Sequence, residues 1–269
     1  MRKKIKILRW KKGDRESRWQ TFLYESEKEN TTVAQALSEL NQRSPLLDME
    51  GKEAAPVRWE CNCLQGKCGA CAMPINDFPA LACKEKLIDY GDTVELMPLQ
   101  KFPVVEDLEV DRTIIFDHLK EMKVWMEQKH AVKPEKQKEA FLASQCLQCG
   151  CCLEICTSYT DGKEFFGMAA LVPADRIIKL EEDGEEKTPL LTQYREHFYQ
   201  CCDEFRACEH VCPAELPLTQ MMAYMNREME SIPFRKDRIL DEDQRKTYKG
   251  TLFQGIAVCS FYCQSDGPV

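Results

Sequence analysis

The segment CLQCGCCLEIC, residues 146–156, places five cysteines in eleven positions. A hydrophobic core does not call for thiols at that density, and adjacent or near-adjacent cysteines seldom meet the geometry of a disulfide. The whole chain holds 16 cysteines in 269 residues, grouped at 61–83, 146–156, 201–212 and in a final pair, Cys259 and Cys263. That share lies below the roughly 8–10% of secreted disulfide scaffolds. The N-terminal MRKKIKILRW is interrupted by charge where a signal peptide would be apolar, and no stretch approaches the ~20 apolar residues of a membrane-spanning helix. A cytoplasmic location is therefore expected. Thiols stay reduced there, so metal ligation becomes the leading reading of the clusters.

The length allows two domains, each able to bury a core. A formal net charge of −8 without a basic run argues against nucleic acid or anionic lipid as the main partner. KIKILRW (4–10), RWQTFLY (18–24) and DTVELMPL (92–99) read as strands, and NTTVAQALSELNQ (30–42) reads as a helix opened by capping residues. From VDRTIIFDHLKEMKVWMEQ (110–128) onward the apolar residues recur every three or four positions, so the second half is expected to be helical. The expected fold class is thus α+β: a small sheet domain over 1–105, a helical domain over 106–235, and a tail over 236–269 that packs on a partner or is loosely ordered. The segment KFPVVEDLEV (101–110) carries the change of pattern, and EEDGEEKTP (181–189) reads as a solvated surface loop.

Cys63, Cys68, Cys71 and Cys83 have the spacing C-x4-C-x2-C-x11-C. The first three match the plant-type [2Fe–2S] ferredoxin run, which takes a more distant fourth cysteine. Gly66 and Gly69 let the loop bend tightly and turn its amides towards sulfur. A structural zinc site is the alternative, although zinc usually takes two separate C-x2-4-C pairs. Cys61 lies outside the spacing.

Cys146, Cys149, Cys152 and Cys156 form C-x2-C-x2-C-x3-C, the bacterial ferredoxin run whose fourth cysteine ligates the other cluster. Cys202, Cys208 and Cys212, followed by Pro213, repeat that run with its middle cysteine missing. Crossing the fourth ligands predicts a [4Fe–4S] cluster on Cys146, Cys149, Cys152 and Cys212, and a second site on Cys156, Cys202 and Cys208. The absent ligand falls at Phe205, which cannot coordinate iron, so the second site is expected to hold [3Fe–4S]. Cys201 is the alternative fourth thiolate there, and Cys151 is read as packing.

A plant-type ferredoxin domain followed by a bacterial-type one, with three clusters in that order, resembles the iron–sulfur subunit of succinate dehydrogenase and fumarate reductase over about residues 1–235. FPVVEDLEVDR (102–112), FFGMAAL (165–171) and CPAELPL (212–218) look like segments of the same family. The resemblance implies an N-terminal β-grasp domain and an all-α domain. It also implies an electron-transfer role with no substrate site or catalytic residue on this chain. The expected partners are an FAD-containing flavoprotein subunit and a membrane anchor, with FAD and haem b held only by those partners. The expected location is peripheral, on the cytoplasmic side of the cell membrane, held through the anchor. Ubiquinone-linked members carry Pro-Ser-x-Trp-Trp after the cysteine matching Cys156 and a His after the one matching Cys202. Here Thr157-Ser158-Tyr159-Thr160-Asp161 and Asp203 stand instead, which is closer to the menaquinone-linked branch with a cytochrome b anchor. Two rival readings stay open: a three-cluster subunit of a soluble reductase with a thiol or disulfide acceptor, and a zinc-stabilised interaction scaffold.

Overall fold

The first strand pair follows from alternation. In β1 (Arg2–Arg9) and β2 (Arg18–Glu25), Ile5, Ile7, Phe22 and Tyr24 point to one face and are fully buried, and the two strands pair antiparallel with Ile5 opposite Phe22. The computed structural model describes residues 1–11, 13–126, 133–181, 184–199, 201–202 and 206–231, all within one compact unit. Helix α1 (Val33–Asn41) starts at Thr32, whose hydroxyl accepts from the Gln35 amide at 3.2 Å, and it buries Val33, Leu37 and Leu40 in the core that the sheet shares. Strand β5 (Thr93–Leu96) runs parallel to β1 and antiparallel to β3 (Ala72–Ile75), and with β4 (Phe78–Leu81) they give a five-stranded mixed sheet in the order β2-β1-β5-β3-β4. This sheet and the helices after it make the α+β architecture expected.

The hairpin of β3 and β4 (Phe78–Leu81) lies inside the eleven-residue gap between Cys71 and Cys83, which reads from sequence only as loop. Pro74 and Pro79 stand opposite each other in it, and prolines demote a stretch as a strand because each removes a ladder donor. The turn is made by Asn76 and Asp77, both left-handed with φ of 48° and 73°, the backbone that a two-residue hairpin requires.

Residues 101–110 form a small hairpin, β6 (Val104–Glu106) with β7 (Glu109–Val110), held against the first sheet. Phe102, Leu108 and Val110 are buried. Asp107 accepts from Arg9 Nε at 2.8 Å, from the Arg58 amide at 3.0 Å and from the Trp10 amide at 3.3 Å.

Helices α2 (Thr113–Glu121), α3 (Pro134–Ala143) and α4 (Cys151–Glu154) then surround α5 (Met168–Leu180), which also touches α6 (Gly184–His197) and α8 (Leu218–Glu230); α7 (Ala207–His210) is a single turn. Residues 184–189 belong to α6, so the surface loop expected over 181–189 is corrected. Its charge conceals a stripe, Leu190, Leu191, Tyr194 and Phe198, that is buried at helical spacing, while the Lys187 ammonium pairs with Glu228 at 2.9 Å. Among the described residues, no helix is long and apolar enough to cross a membrane.

Candidate metal centres

Residues 63–71 form a tight loop whose amides turn towards sulfur. The Gln65 and Lys67 amides donate to Cys63 Sγ at 3.4 and 3.3 Å, and the Gly66 amide donates to Cys83 Sγ at 3.2 Å. Gly66 and Gly69 hold left-handed φ of 69° and 76°, which a glycine adopts without steric cost. The two amides lower the Cys63 thiol to about 7 because they favour its anion, whereas burial pushes Cys71 up to about 12. Cys63 interacts with Cys68, and Cys71 interacts with Cys83 and Cys68. All four expected thiols therefore meet in one place. Cys61 is exposed.

The second and third cysteine groups sort into two sets. Charge on Cys149 and Cys212 acts on Cys146, and charge on Cys149, Cys146, Cys208 and Cys212 acts on Cys152. These four thiols line one cavity, closed by neighbours that include Gly150 and Leu216. Cys208 is acted on by Cys156 and Cys202, and its own influence on Cys152 places the two sets near each other. Burial pushes Cys146 up to about 11, Cys208 up to about 12 and Cys152 well above the thiol range. Thiols so placed ionise readily only beside a cationic centre, which suits this donor set to a metal. Cys151 is fully buried and hydrogen-bonded to Cys149, while the Cys201 thiol turns to the Tyr199 carbonyl at 3.7 Å. Among the described residues, no three His, Cys, Asp or Glu side chains close up as they would around a single metal ion. Thiolates around a polynuclear core stand farther apart, since several irons and sulfides lie between them. Asp203, Phe205, Cys259 and Cys263 lie outside the described residues.

Polar groups that the spacing did not single out complete the centres. Gln148 Nε2 donates to Cys146 Sγ at 3.1 Å and to the Ala169 carbonyl at 3.0 Å. Lys101 Nζ donates to the Cys156 carbonyl and, at 2.7 Å, to that of Tyr159. Glu154 accepts from the Gln100 and Lys101 amides at 3.0 and 3.1 Å, and Lys84 Nζ reaches the Pro213 carbonyl at 3.0 Å. Each joins a cysteine segment to an element distant in sequence, so no local pattern announces it. Tyr159 is fully buried, with Lys101 Nζ 6.0 Å from its ring centroid.

The chain matches the model of a 2Fe-2S iron-sulfur cluster binding domain over residues 4–117 and that of a 4Fe-4S dicluster domain over residues 142–216. Sheet, helices and cysteine loops together thus define a protein of two ferredoxin-type domains in tandem. The chain is 33% identical over 216 residues to the succinate dehydrogenase iron-sulfur subunit of Bacillus subtilis, covering 77% of this chain and 84% of that one. It is 31% identical over 191 residues to the fumarate reductase iron-sulfur subunit of Wolinella succinogenes, covering 63% and 76%. Its fold is shared with a chain of the Mycobacterium smegmatis Sdh1 complex in the apo form, at a TM-score of 0.67 and 20% identity over 85% of this chain and 95% of that one. The chain belongs to the family of succinate dehydrogenase and fumarate reductase iron–sulfur subunits.

Proposed function

We propose that this chain relays electrons between an FAD-bearing dicarboxylate subunit and a membrane anchor that handles quinone. In this reading Cys63, Cys68, Cys71 and Cys83 hold [2Fe–2S] in a domain ending near residue 105. Cys146, Cys149, Cys152 and Cys212 hold [4Fe–4S], and Cys156, Cys202 and Cys208 hold [3Fe–4S], in a domain over 106–235. The observation that supports it is the cavity that Cys146, Cys149, Cys152 and Cys212 line together, with Cys156 and Cys202 acting on Cys208, which agrees with the crossed pairing that the spacing predicts. Two four-iron clusters would need eight ligands in register, and Phe205 stands where the eighth would fall.

When bound, the iron–sulfur groups accept and release single electrons at potentials set by cluster type, charge, hydrogen bonds to sulfur and exposure. The chain's part is to hold and tune them. Amides of the 63–71 loop and Gln148 donate to thiolates and stabilise the added negative charge, while apolar residues such as Leu216 and Met168 keep water from the inner site. The Thr157–Asp161 sequence and Asp203 favour a menaquinone-linked anchor with haem b over a ubiquinone pocket beside Cys156. The chain would then sit peripherally on the cytoplasmic face of the membrane.

The test is the reduced-minus-oxidised visible spectrum of the detergent-solubilised complex captured through this chain under anaerobic conditions. Haem b bands beside flavin and iron–sulfur bleaching are expected. Bleaching without haem bands would overturn the cytochrome b assignment and point to a haem-free anchor or a soluble acceptor.

A further inference from the structure

The first two cysteine loops meet at one point, and an arginine is lodged there. A Cβ on Gly69 would lie 2.8 Å from Leu147 O and from Cys149 Cβ, so the 63–71 loop and the 146–156 run touch through backbone. Arg112, from the segment that joins β7 to α2, reaches the same point. Its Nη2 donates to the Ala70 carbonyl at 3.2 Å and to the Ala72 carbonyl at 3.3 Å, on either side of Cys71. Nη1 pairs with Glu60, and Nε is buried with no hydrogen-bond partner among the described residues. The Arg112 side chain is 13% exposed, and its charge acts on Cys149 and Cys151 across the junction.

We infer that Arg112 is a positioning residue that holds a permanent positive charge between the [2Fe–2S] and [4Fe–4S] sites and raises the potentials of both. The inference rests on the ligand reading above. Three features make the charge effective. An arginine stays ionised at any working pH. It is largely withdrawn from water, so its field is screened less than that of a surface lysine. Reduction adds negative charge to each centre, which a nearby cation stabilises. Glu60, 38% exposed, offsets the field only in part. A purely structural role, pinning the Ala70 and Ala72 carbonyls, would need the fork of donors but not the charge as such.

The test is an anaerobic redox titration of the cluster-loaded full chain, read by paramagnetic resonance, for wild type, Arg112→Lys, Arg112→Met and Glu60→Gln. At the potential where wild type is half reduced, Arg112→Met is expected to shift the oxidised-to-reduced ratio about tenfold towards oxidised, equivalent to about 59 mV for one electron. Arg112→Lys is expected to retain most of the wild-type ratio, and Glu60→Gln to shift it the opposite way. Equal shifts in the Lys and Met variants would overturn the inference in favour of a purely structural clamp. Should Arg112→Met fail to hold clusters, Glu60→Gln decides alone, and an unmoved ratio there overturns it. A wild-type chain with no cluster signals would instead overturn the functional reading itself.

Discussion

A methyl group added at Gly69 would meet Leu147 O and Cys149 Cβ at 2.8 Å, with φ at +76°. Gly51 has the same φ but nothing within 4 Å. Gly51→Ala is therefore expected to cost only the left-handed backbone penalty, about 1–2 kcal/mol. Gly69→Ala should cost more, because one loop must move off the other. Thermal melts of the two variants compare them directly, and equal losses would remove the case for a close approach between the loops. Asp107 gives a second residue-scale prediction. It is the carboxylate partner of a buried Arg9, and their side chains are 4% and 6% exposed. Asp107→Ala strands that cation and is expected to cost about 3–5 kcal/mol. Arg9→Met combined with Asp107→Leu should recover part of the loss, and a double variant as unstable as the sum of its singles would show that the pair is not the cause.

Helix α5 carries an element-scale prediction. Asp175 is fully buried and pairs with Lys179 at 2.9 Å, yet its Oδ1 has no hydrogen-bond partner among the described residues. Burial outweighs the lysine and pushes the carboxyl up to about 6, against about 3.9 in an unfolded chain. The folded state thus holds this proton more tightly. The resulting stability is present below about pH 4 and is lost as pH rises through about 6. Asp175→Asn keeps a neutral side chain throughout, so wild-type stability relative to this variant should fall by on the order of 2–3 kcal/mol between pH 4 and pH 7. Denaturant melts at the two pH values check it, and a difference that rose with pH would reverse the assignment. Elements were legible in sequence where one signal dominated: β1, β2 and β5 by alternation, α1 by its Thr32 cap. The β3–β4 hairpin was hidden by its paired prolines, although Asn76-Asp77 marked its turn, and the start of α6 was hidden by charge. The cysteine spacing showed which residue types and intervals to expect at the centres. Gln148, Lys101 and Arg112 were not legible, since each acts through a fold-dependent contact.

On the scale of the whole molecule, the proposed clusters would tie together cysteine segments that are distant in sequence. Burial opposes ionisation of Cys71, Cys146, Cys152 and Cys208, and binding a metal, which takes the thiolate, is coupled to folding. A group that binds only the folded chain adds to its stability, and removing iron by anaerobic chelation is expected to lower the melting temperature, with the helical half affected most. Hydrogen exchange before and after chelation would follow the segments 146–156 and 206–216 directly, and unchanged protection there would argue against a structural role for iron. The most direct measurement for the chain as a whole is its iron, zinc and labile sulfide content, with paramagnetic resonance of the oxidised and the reduced chain, for wild type and Cys208→Ser prepared anaerobically. Three cluster signals are predicted in wild type, with the three-iron signal lost or altered in Cys208→Ser and the [2Fe–2S] signal retained. Zinc without labile sulfide, or three signals untouched by Cys208→Ser, would contradict the account.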